Sequence, residues 1–391
     1  MRLAVIVDSY PPSTSSAATQ MDALVSELSC YKIKIILIIP DNTLKEPYEI
    51  YNKDNIKVLK YRLKNIKKQP YILRAFYEVS ISYRIIYLIK KTNIISKLDG
   101  VIWYSPTIFY GPLVKWLKKK YNCKAFCILR DIFPQWILDL KIIKKGLIYY
   151  LFKIFENHQY NAADVIAVQS ENNKNYFKKN YPQHIGKLEV LHNWYSDFPQ
   201  RKCRISLSEY SSSYDFILLY AGNIGPAQDL ELLIKLMNEK AFSRCLFVIV
   251  GDGRKKKSLQ TNTSLKNVLF FDQIPSDEII SLYEQVDLGI ISLNVNHKTH
   301  NIPGKLLPYI AAGLPIFAAV NPDNDLIDYV TNYNIGAVSD SRDISELSSA
   351  LNCCLELIKK DKNIHLRCRQ MMNDNFTTEK IAKRIYDIIK R

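Results

Sequence analysis

The chain has 391 residues, 48% of them hydrophobic, with 12 Gly and 16 Pro. It is longer than one ordinary domain of about 150 residues and has ample apolar material for cores, which excludes disordered, collagen-like and coiled-coil classes. Its net charge of +16 is uneven, because residues 1–200 hold 30 Lys and Arg against 16 Asp and Glu while residues 201–391 hold 24 against 22; a basic first half calls for an anionic partner such as membrane, nucleic acid or a phosphorylated ligand.

No stretch reaches the ~18 charge-free apolar residues of a spanning helix, and the nearest, Val101 to Val114, contains Ser105, Pro106 and Pro112. The opening MRLAVIVDSYPP carries an apolar run too short for a signal-peptide core and reads as a first buried strand. The eight cysteines form no CxxC pair and have no His partners at zinc spacing. They read as reduced thiols of a cytoplasmic protein, with no metal site expected.

Apolar runs predict strands at Leu3–Val7, Ile33–Ile39, Ile56–Tyr61, Gly100–Tyr104, Lys124–Leu129, Val165–Val168 and Leu188–Leu191. Amphipathic segments such as Ala17–Ser29 and Leu147–Tyr160 predict helices between them. The alternation stops in the polar stretch DFPQRKCRISLSEYSSSY, which places a linker over residues 198–214. A second series of strands is predicted at Phe216–Tyr220, Leu246–Val250, Val268–Phe271, Leu288–Ile291, Ile316–Ala319 and Gly336–Val338. Helices follow near Ile344–Lys359 and Thr378–Lys390. The fold class expected is α/β, with two Rossmann-like doubly wound domains facing across a cleft: residues 1–197 and 215–376, with a C-terminal helix over 377–391 packing back on the first domain. Ligands of such sheets bind at the carboxyl ends of the strands.

Three loops of the second half carry phosphate-binding chemistry. In His300-Asn301-Ile302-Pro303-Gly304-Lys305, a Pro-Gly turn opens a predicted helix over Lys305–Ala311, closed by Gly313. Helix-start amides and the dipole favour a phosphate, Gly304 allows close approach, and Lys305 adds a full charge, although an ordinary helix start with an incidental Lys has the same look. Tyr220-Ala221-Gly222-Asn223-Ile224-Gly225 follows a strand and precedes a helix beginning at Asp229, so Gly222, Asn223, Gly225 and Gln228 are candidate donor contacts. A lone GxxG loop is a weak signal. Asp252 and Gly253 in Gly251-Asp252-Gly253, with Arg254 after them, either cradle a ligand or reverse the chain.

In the first half, Arg130 and Asp131 end the strand Lys124–Leu129, and Asp131 reads as a base or acceptor-binding carboxylate, with helix capping or an internal Arg–Asp pair as the alternative. Ser15 and Ser16 open a helix, where their hydroxyls meet a phosphate or sugar, or simply cap it. His192-Asn193-Trp194 ends another strand, and a structural role suits the His better than a catalytic one.

The segments SYPPSTSSAATQMDALVSELS, VIAVQSENNKNYF, VLHNW, LLYAGNIGPAQDLELLI, FVIVGDG and IPGKLLPYIAAGLPI resemble GT4-type glycosyltransferases along nearly the whole chain. More narrowly, YSPTIFYGPLVKWLKKKY, LRDIFPQWILDL and NIPGKLLPYIAAGLPIFAAVN resemble the L-fucosamine transferases of bacterial O-antigen and capsule clusters. The resemblance implies a GT-B fold, a nucleotide diphosphate held by the C-terminal half, an acceptor on the N-terminal half, and no required divalent metal or other cofactor. Asn301, Pro303, Gly304 and Lys305 then become donor contacts, with Lys305 stabilising the leaving group. The sequence departs from the family where two glutamates eight positions apart are usual: His300 and Pro308 stand there. The Arg and Lys usual after the first strand of the second half are absent, with Asn223 and Gln228 nearby.

The implied reaction moves a sugar, N-acetyl-L-fucosamine in the narrower resemblance, from a UDP donor to a lipid-linked oligosaccharide at the inner face of the cell membrane. Lys115–Tyr121 and Leu140–Phe155 mix cations with aromatic and aliphatic residues. A basic residue near anionic lipid contributes ~1 kcal/mol, so these segments suit peripheral attachment, and a solvated helix face is the plainer alternative. No nucleic-acid-binding motif is recognisable, and neither half has the GxGxxG with a following acid that a nicotinamide dehydrogenase needs. The missing glutamates keep open a catalytically inactive, membrane-associated scaffold of a glycan-assembly complex.

Overall fold

The computed structural model describes residues 1–13, 15–63, 71–196, 200–296 and 302–391, without the side chains of 71–76. Met1–Ser196 with Thr378–Arg391 forms one unit, and Asp197–Thr377 forms the other.

In the first unit the chain runs β1 (Arg2–Ile6), α1 (Ser16–Cys30), β2 (Lys34–Asp41), β3 (Tyr48–Lys53), β4 (Ile56–Arg62), α2 (Tyr71–Thr92), β5 (Gly100–Ser105), α3 (Gly111–Tyr121), β6 (Lys124–Leu129), α4 (Gln135–Asp139), α5 (Leu147–Ala162), β7 (Val165–Val168), α6 (Glu171–Asn180) and β8 (Leu188–Val190). The strands lie in the order β3-β4-β2-β1-β5-β6-β7-β8. Their near-continuous apolar runs are those of strands covered on both faces, and two separate cores do cover them. Among the described strands only β3 runs antiparallel, in a hairpin with β4 that the hydrophobic pattern does not reveal, because YEIYNK is half exposed at the sheet edge.

The second unit contains β9 (Phe216–Ala221), α7 (Leu230–Met237), β10 (Cys245–Val250), α8 (Lys256–Asn262), β11 (Val268–Phe271), α9 (Ile279–Tyr283), β12 (Leu288–Ser292), α10 (Leu306–Ala312), β13 (Ile316–Ala319), α11 (Leu326–Tyr333), β14 (Gly336–Ser339), α12 (Ile344–Lys360) and α13 (Ile364–Asn375). Its sheet is fully parallel, in the order β11-β10-β9-β12-β13-β14. In each sheet the chain works outward from one strand and then reverses, between β1 and β5 in the first and between β9 and β12 in the second. Those switch points open crevices at the strand carboxyl ends, where doubly wound folds hold ligands.

The stretch expected as a linker is tied to the second unit. Cys203, Ile205 and Leu207 are buried, Cys203 N donates to Ser281 Oγ at 3.1 Å, and Arg204 pairs with Glu278 at 2.8 Å. The last helix, α14 (Thr378–Lys390), lies on α1 in the first unit, with Ile381, Ala382, Ile385 and Ile389 in the same core as Val5 and Met21. Burial of each Ile there stabilises by roughly 1.5–3 kcal/mol relative to exposure. Among the described residues no helix is long and apolar enough to cross a membrane.

Candidate functional site

The second unit gathers its polar groups at the switch between β9 and β12. The loop after β9 is locked to the loop after β10 by backbone bonds, Gly222 N to Val250 O and Ile224 N to Asp252 O, both 2.8 Å. Gly251 sits at φ +151°, and a β-carbon there would lie 1.9 Å from Gly222 O, so only glycine lets the two loops touch. Gln228 Oε1 accepts from Gly225 N at 3.1 Å and from Asn223 Nδ2 at 3.3 Å, which closes the β9–α7 turn on itself. Asp252 Oδ1 likewise accepts from the neighbouring Gly253 N at 2.7 Å. Asn223, Gln228 and Asp252 therefore hold the loops in shape. Arg254 is exposed and, among the described residues, makes no ion pair.

Lys305 is brought to this edge by Tyr309. The Tyr309 ring fills the space over Gly289 of β12, and its hydroxyl donates to Leu219 O at 3.2 Å and accepts from Ala221 N at 3.0 Å. Helix α10 is thereby pinned to β9. It begins one residue later than the sequence suggests, at Leu306, whose amide already donates to Pro303 O at 3.0 Å. The helix start thus offers less to a phosphate than the motif implied, and the side chain of Lys305 offers more. It folds back over Gly222, with Nζ 4.7 Å from the centre of the Tyr220 ring. Burial pushes its pKa down to about 8, and no acidic side chain among the described residues offsets that. Pro303 is half-buried, and Gly304 is exposed with open space at its α-carbon. Asn301 and His300 lie outside the described residues.

Sequence reasoning passed over Arg342, which follows β14. Its Nη2 donates to Leu293 O at 2.5 Å and Asn321 Oδ1 at 3.1 Å, at the carboxyl ends of β12 and β13. Its Nε and Nη1 are buried without a hydrogen-bond partner among the described residues, and burial lowers its pKa, opposed by the charge of Asp229. The signal was available, since Arg342 stands just beyond a strand end, but SDSRD reads as an ordinary polar turn.

The first unit collects carboxylates at its own switch point. Asp8 follows β1, Asp131 follows β6, and the two charges repel. Burial, with a smaller contribution from Asp131, raises the Asp8 pKa to about 6, against a backbone hydrogen bond that lowers it. Burial also raises Asp131, opposed by Arg130. Asp8 was missed because its sequence context, VIVDSYPP, reads as a strand running into a turn.

Arg130 does not reach outward as an acceptor ligand. It is buried, donates from Nη1 to Leu191 O at 2.9 Å and from Nη2 to His192 O at 3.3 Å, and lies 5.1 Å from the Trp194 ring. His192 Nδ1 is bonded to Gln169 O at 2.9 Å, a structural arrangement. Ser15 caps α1, accepting from Ala18 N at 3.2 Å, and hydrogen-bonds Ser9 Oγ at 2.8 Å; Ser16 is exposed in the first turn. Among the described residues no group of three His, Cys, Asp or Glu side chains could hold a metal ion.

Residues 208–371 match the family model described as glycosyl transferases group 1. The chain is 24% identical over 235 residues to WcaI of Escherichia coli K12, named as a colanic acid biosynthesis glycosyl transferase, with 56% of each chain covered. The match thus spans little more than half of that relative. Among solved structures the chain is similar to sucrose-phosphate synthase from Thermosynechococcus elongatus (TM-score 0.73, 12% identity, 100% of this chain and 98% of that one). It is also similar to a UDP-forming alpha,alpha-trehalose-phosphate synthase from Burkholderia vietnamiensis (TM-score 0.72, 10% identity, 100% and 99%). At such identities the likeness establishes the fold, which is GT-B, and the stretch that resembles group 1 glycosyl transferases, residues 208–371, lies within the second unit.

Proposed function

We propose that the protein is a glycosyltransferase that moves a sugar from a nucleotide diphosphate to a lipid-linked glycan in bacterial surface polysaccharide synthesis. The observation that carries this reading is Lys305: a cation half-withdrawn from water, without a carboxylate partner among the described residues, laid over Gly222 at the switch point of the second sheet. A buried unpaired charge is costly to keep, and a bound diphosphate is the anion that would offset the cost. Arg342, with two nitrogens unbonded among the described residues on the same sheet edge, is the second cation. Together they supply the leaving-group stabilisation that a metal gives elsewhere, so the proposed reaction carries no divalent ion or other cofactor.

The acceptor belongs to the first unit. Its hydroxyl attacks the anomeric carbon, its proton passes to the Asp131 or Asp8 carboxylate, and the bond to the diphosphate oxygen breaks, with the electron pair leaving on the nucleotide. Asp8, more basic than an ordinary carboxylate, suits the proton transfer. UDP is the proposed nucleotide, in keeping with the UDP-forming structural neighbour. The sugar proposed, from the narrower sequence resemblance, is N-acetyl-L-fucosamine. The basic first half suits work at the cytoplasmic face of an anionic membrane, where a lipid-linked acceptor is held.

Thermal shifts with a panel of nucleotides and nucleotide sugars, without added metal, test the donor site. Ligand binding at a hundredfold excess over Kd stabilises by about 2.7 kcal/mol, which is readily seen. Stabilisation by UDP that vanishes in Lys305→Ala is expected. Absence of any nucleotide response in the folded protein overturns the reading. Binding without turnover on lipid-linked acceptors would instead point to the inactive scaffold.

A further inference from the structure

Helix α5 leaves a row of aliphatic side chains in solvent along its first half. Its inward face buries Tyr149, Tyr160 and Ala162 together with Glu156 and Gln159, while Leu147, Ile148, Leu151 and Ile154 project into solvent at 90%, 59%, 44% and 53% exposure. Glu156 is satisfied inside by Tyr181 at 2.7 Å and by Lys153, and Gln159 by Trp103 Nε1 at 3.2 Å and Ser105 Oγ at 3.0 Å. The inward polar groups thus have their partners, and the outward apolar ones are left in solvent by the described residues of this unit. Ile142, also 59% exposed, extends the same apolar surface into the preceding turn.

The charge around this ridge has one sign. Between Asp139 and Glu156 the chain has no acidic residue and four lysines, Lys141, Lys144, Lys145 and Lys153. Lys141, Lys144 and Lys145 are exposed immediately before Leu147. Helix α3 packs against α5 and adds exposed Lys115, Lys119 and Lys120. A contiguous exposed aliphatic ridge is uncommon on a monomer, and a lysine collar would hinder closure of a like-charged second copy over it. Aliphatic residues ringed by lysines match the interface of an anionic bilayer, where the apolar tips enter the acyl boundary and the ammonium groups meet headgroup phosphates.

We propose that Ile142, Leu147, Ile148, Leu151 and Ile154 form a membrane-inserting ridge, with Lys141, Lys144 and Lys145 as its anionic-lipid collar. This deepens the reading of the protein as a membrane-surface enzyme by assigning the docking to one helix start. Attachment then combines insertion with charge and responds to both.

The test is co-sedimentation of the full chain, without nucleotide, with phosphatidylcholine vesicles and with vesicles containing about one third phosphatidylglycerol. The expected result is binding to the anionic vesicles, weakened about tenfold by Leu147→Ser with Ile148→Ser, and also weakened by Lys144→Gln with Lys145→Gln or by added salt. These positions are exposed, so both double variants should melt like the parent. Wild-type protein that ignores anionic vesicles overturns the proposal, as do serine variants that sediment like wild type. A wild-type dimer in vesicle-free buffer that Leu147→Ser converts to monomer overturns it too, by identifying a second copy as the occupant. The UDP thermal shift, read in the same samples without vesicles, reports the donor site separately, so failure of one is not failure of the other.

Discussion

Lys305 lies directly across Gly222: a β-carbon built on Gly222 would fall 2.6 Å from Lys305 Cε and 3.1 Å from its Nζ. Gly222 also sits at φ +140°, where a side chain strains the backbone. Gly222→Ala should cost roughly 1–3 kcal/mol of stability and swing the ammonium off the sheet edge. The expected readout is a lower melting temperature together with a weakened UDP response. A variant that melts earlier but responds fully to UDP would mean that the ammonium position does not matter to the donor.

The same lysine carries opposite consequences for stability and binding. Its folded pKa, about 8, lies below the usual 10.5, so near neutral pH the native state holds a proton at a cost, and that cost is relieved as pH rises through 8. Lys305→Met removes the buried charge and should stabilise the free protein at pH 7 by on the order of 1 kcal/mol, while abolishing the UDP response. In the wild type, UDP affinity should decline above about pH 8, as the free ammonium titrates. Melting curves against pH, with and without UDP, check both halves.

Asp8 gives the pH dependence of the first unit its sign. A carboxyl raised from 3.8 to about 6 makes the folded chain bind more protons than the unfolded one across that window, so its contribution to stability falls as pH climbs from about 4 to about 6. Asp8→Asn should flatten that segment of the stability profile. If Asp8 takes the acceptor proton, kcat/KM in the wild type rises with pH through about 6, and the Asn variant loses that limb; an unchanged limb would assign the proton to Asp131 instead.

The strands could be read because parallel strands buried on both faces leave long apolar runs, and Lys124–Leu129, Val165–Val168, Val268–Phe271 and Ile316–Ala319 carry the boundaries expected of them. The hairpin strand Tyr48–Lys53 escaped because an exposed edge has no such run. The candidate site was legible in pieces. Gly222 and Lys305 could each be picked out from loop chemistry, but their contact spans 83 positions and depends on Tyr309 locking α10 onto β9. Arg342 and Asp8 carry no local motif at all: what singles them out is burial at a strand end. Arg130 shows the converse, since its place at a strand end suggested a ligand contact and its guanidinium instead binds backbone.

That guanidinium is the basis of a last prediction. Arg130 reaches two successive carbonyls, Leu191 O and His192 O, while stacking on Trp194, and its own carbonyl accepts from Gln169 Nε2 at 2.9 Å. Lysine has a single ammonium in place of a planar fork, so Arg130→Lys would keep the charge but lose one bond and the stacking. Hydrogen bonds from charged donors are worth about 1.5–3 kcal/mol each, and a stability loss of that order is expected by chemical denaturation. Arg130→Met removes the charge as well. Because the Arg130 charge holds the Asp131 pKa down, its loss should raise the pH at which Asp131 ionises, whereas Arg130→Lys should leave it nearly in place. Comparing the two variants in a carboxylate titration separates the clamp from the charge. Equal titration of Asp131 in both would show that Arg130 acts on the first unit through geometry alone.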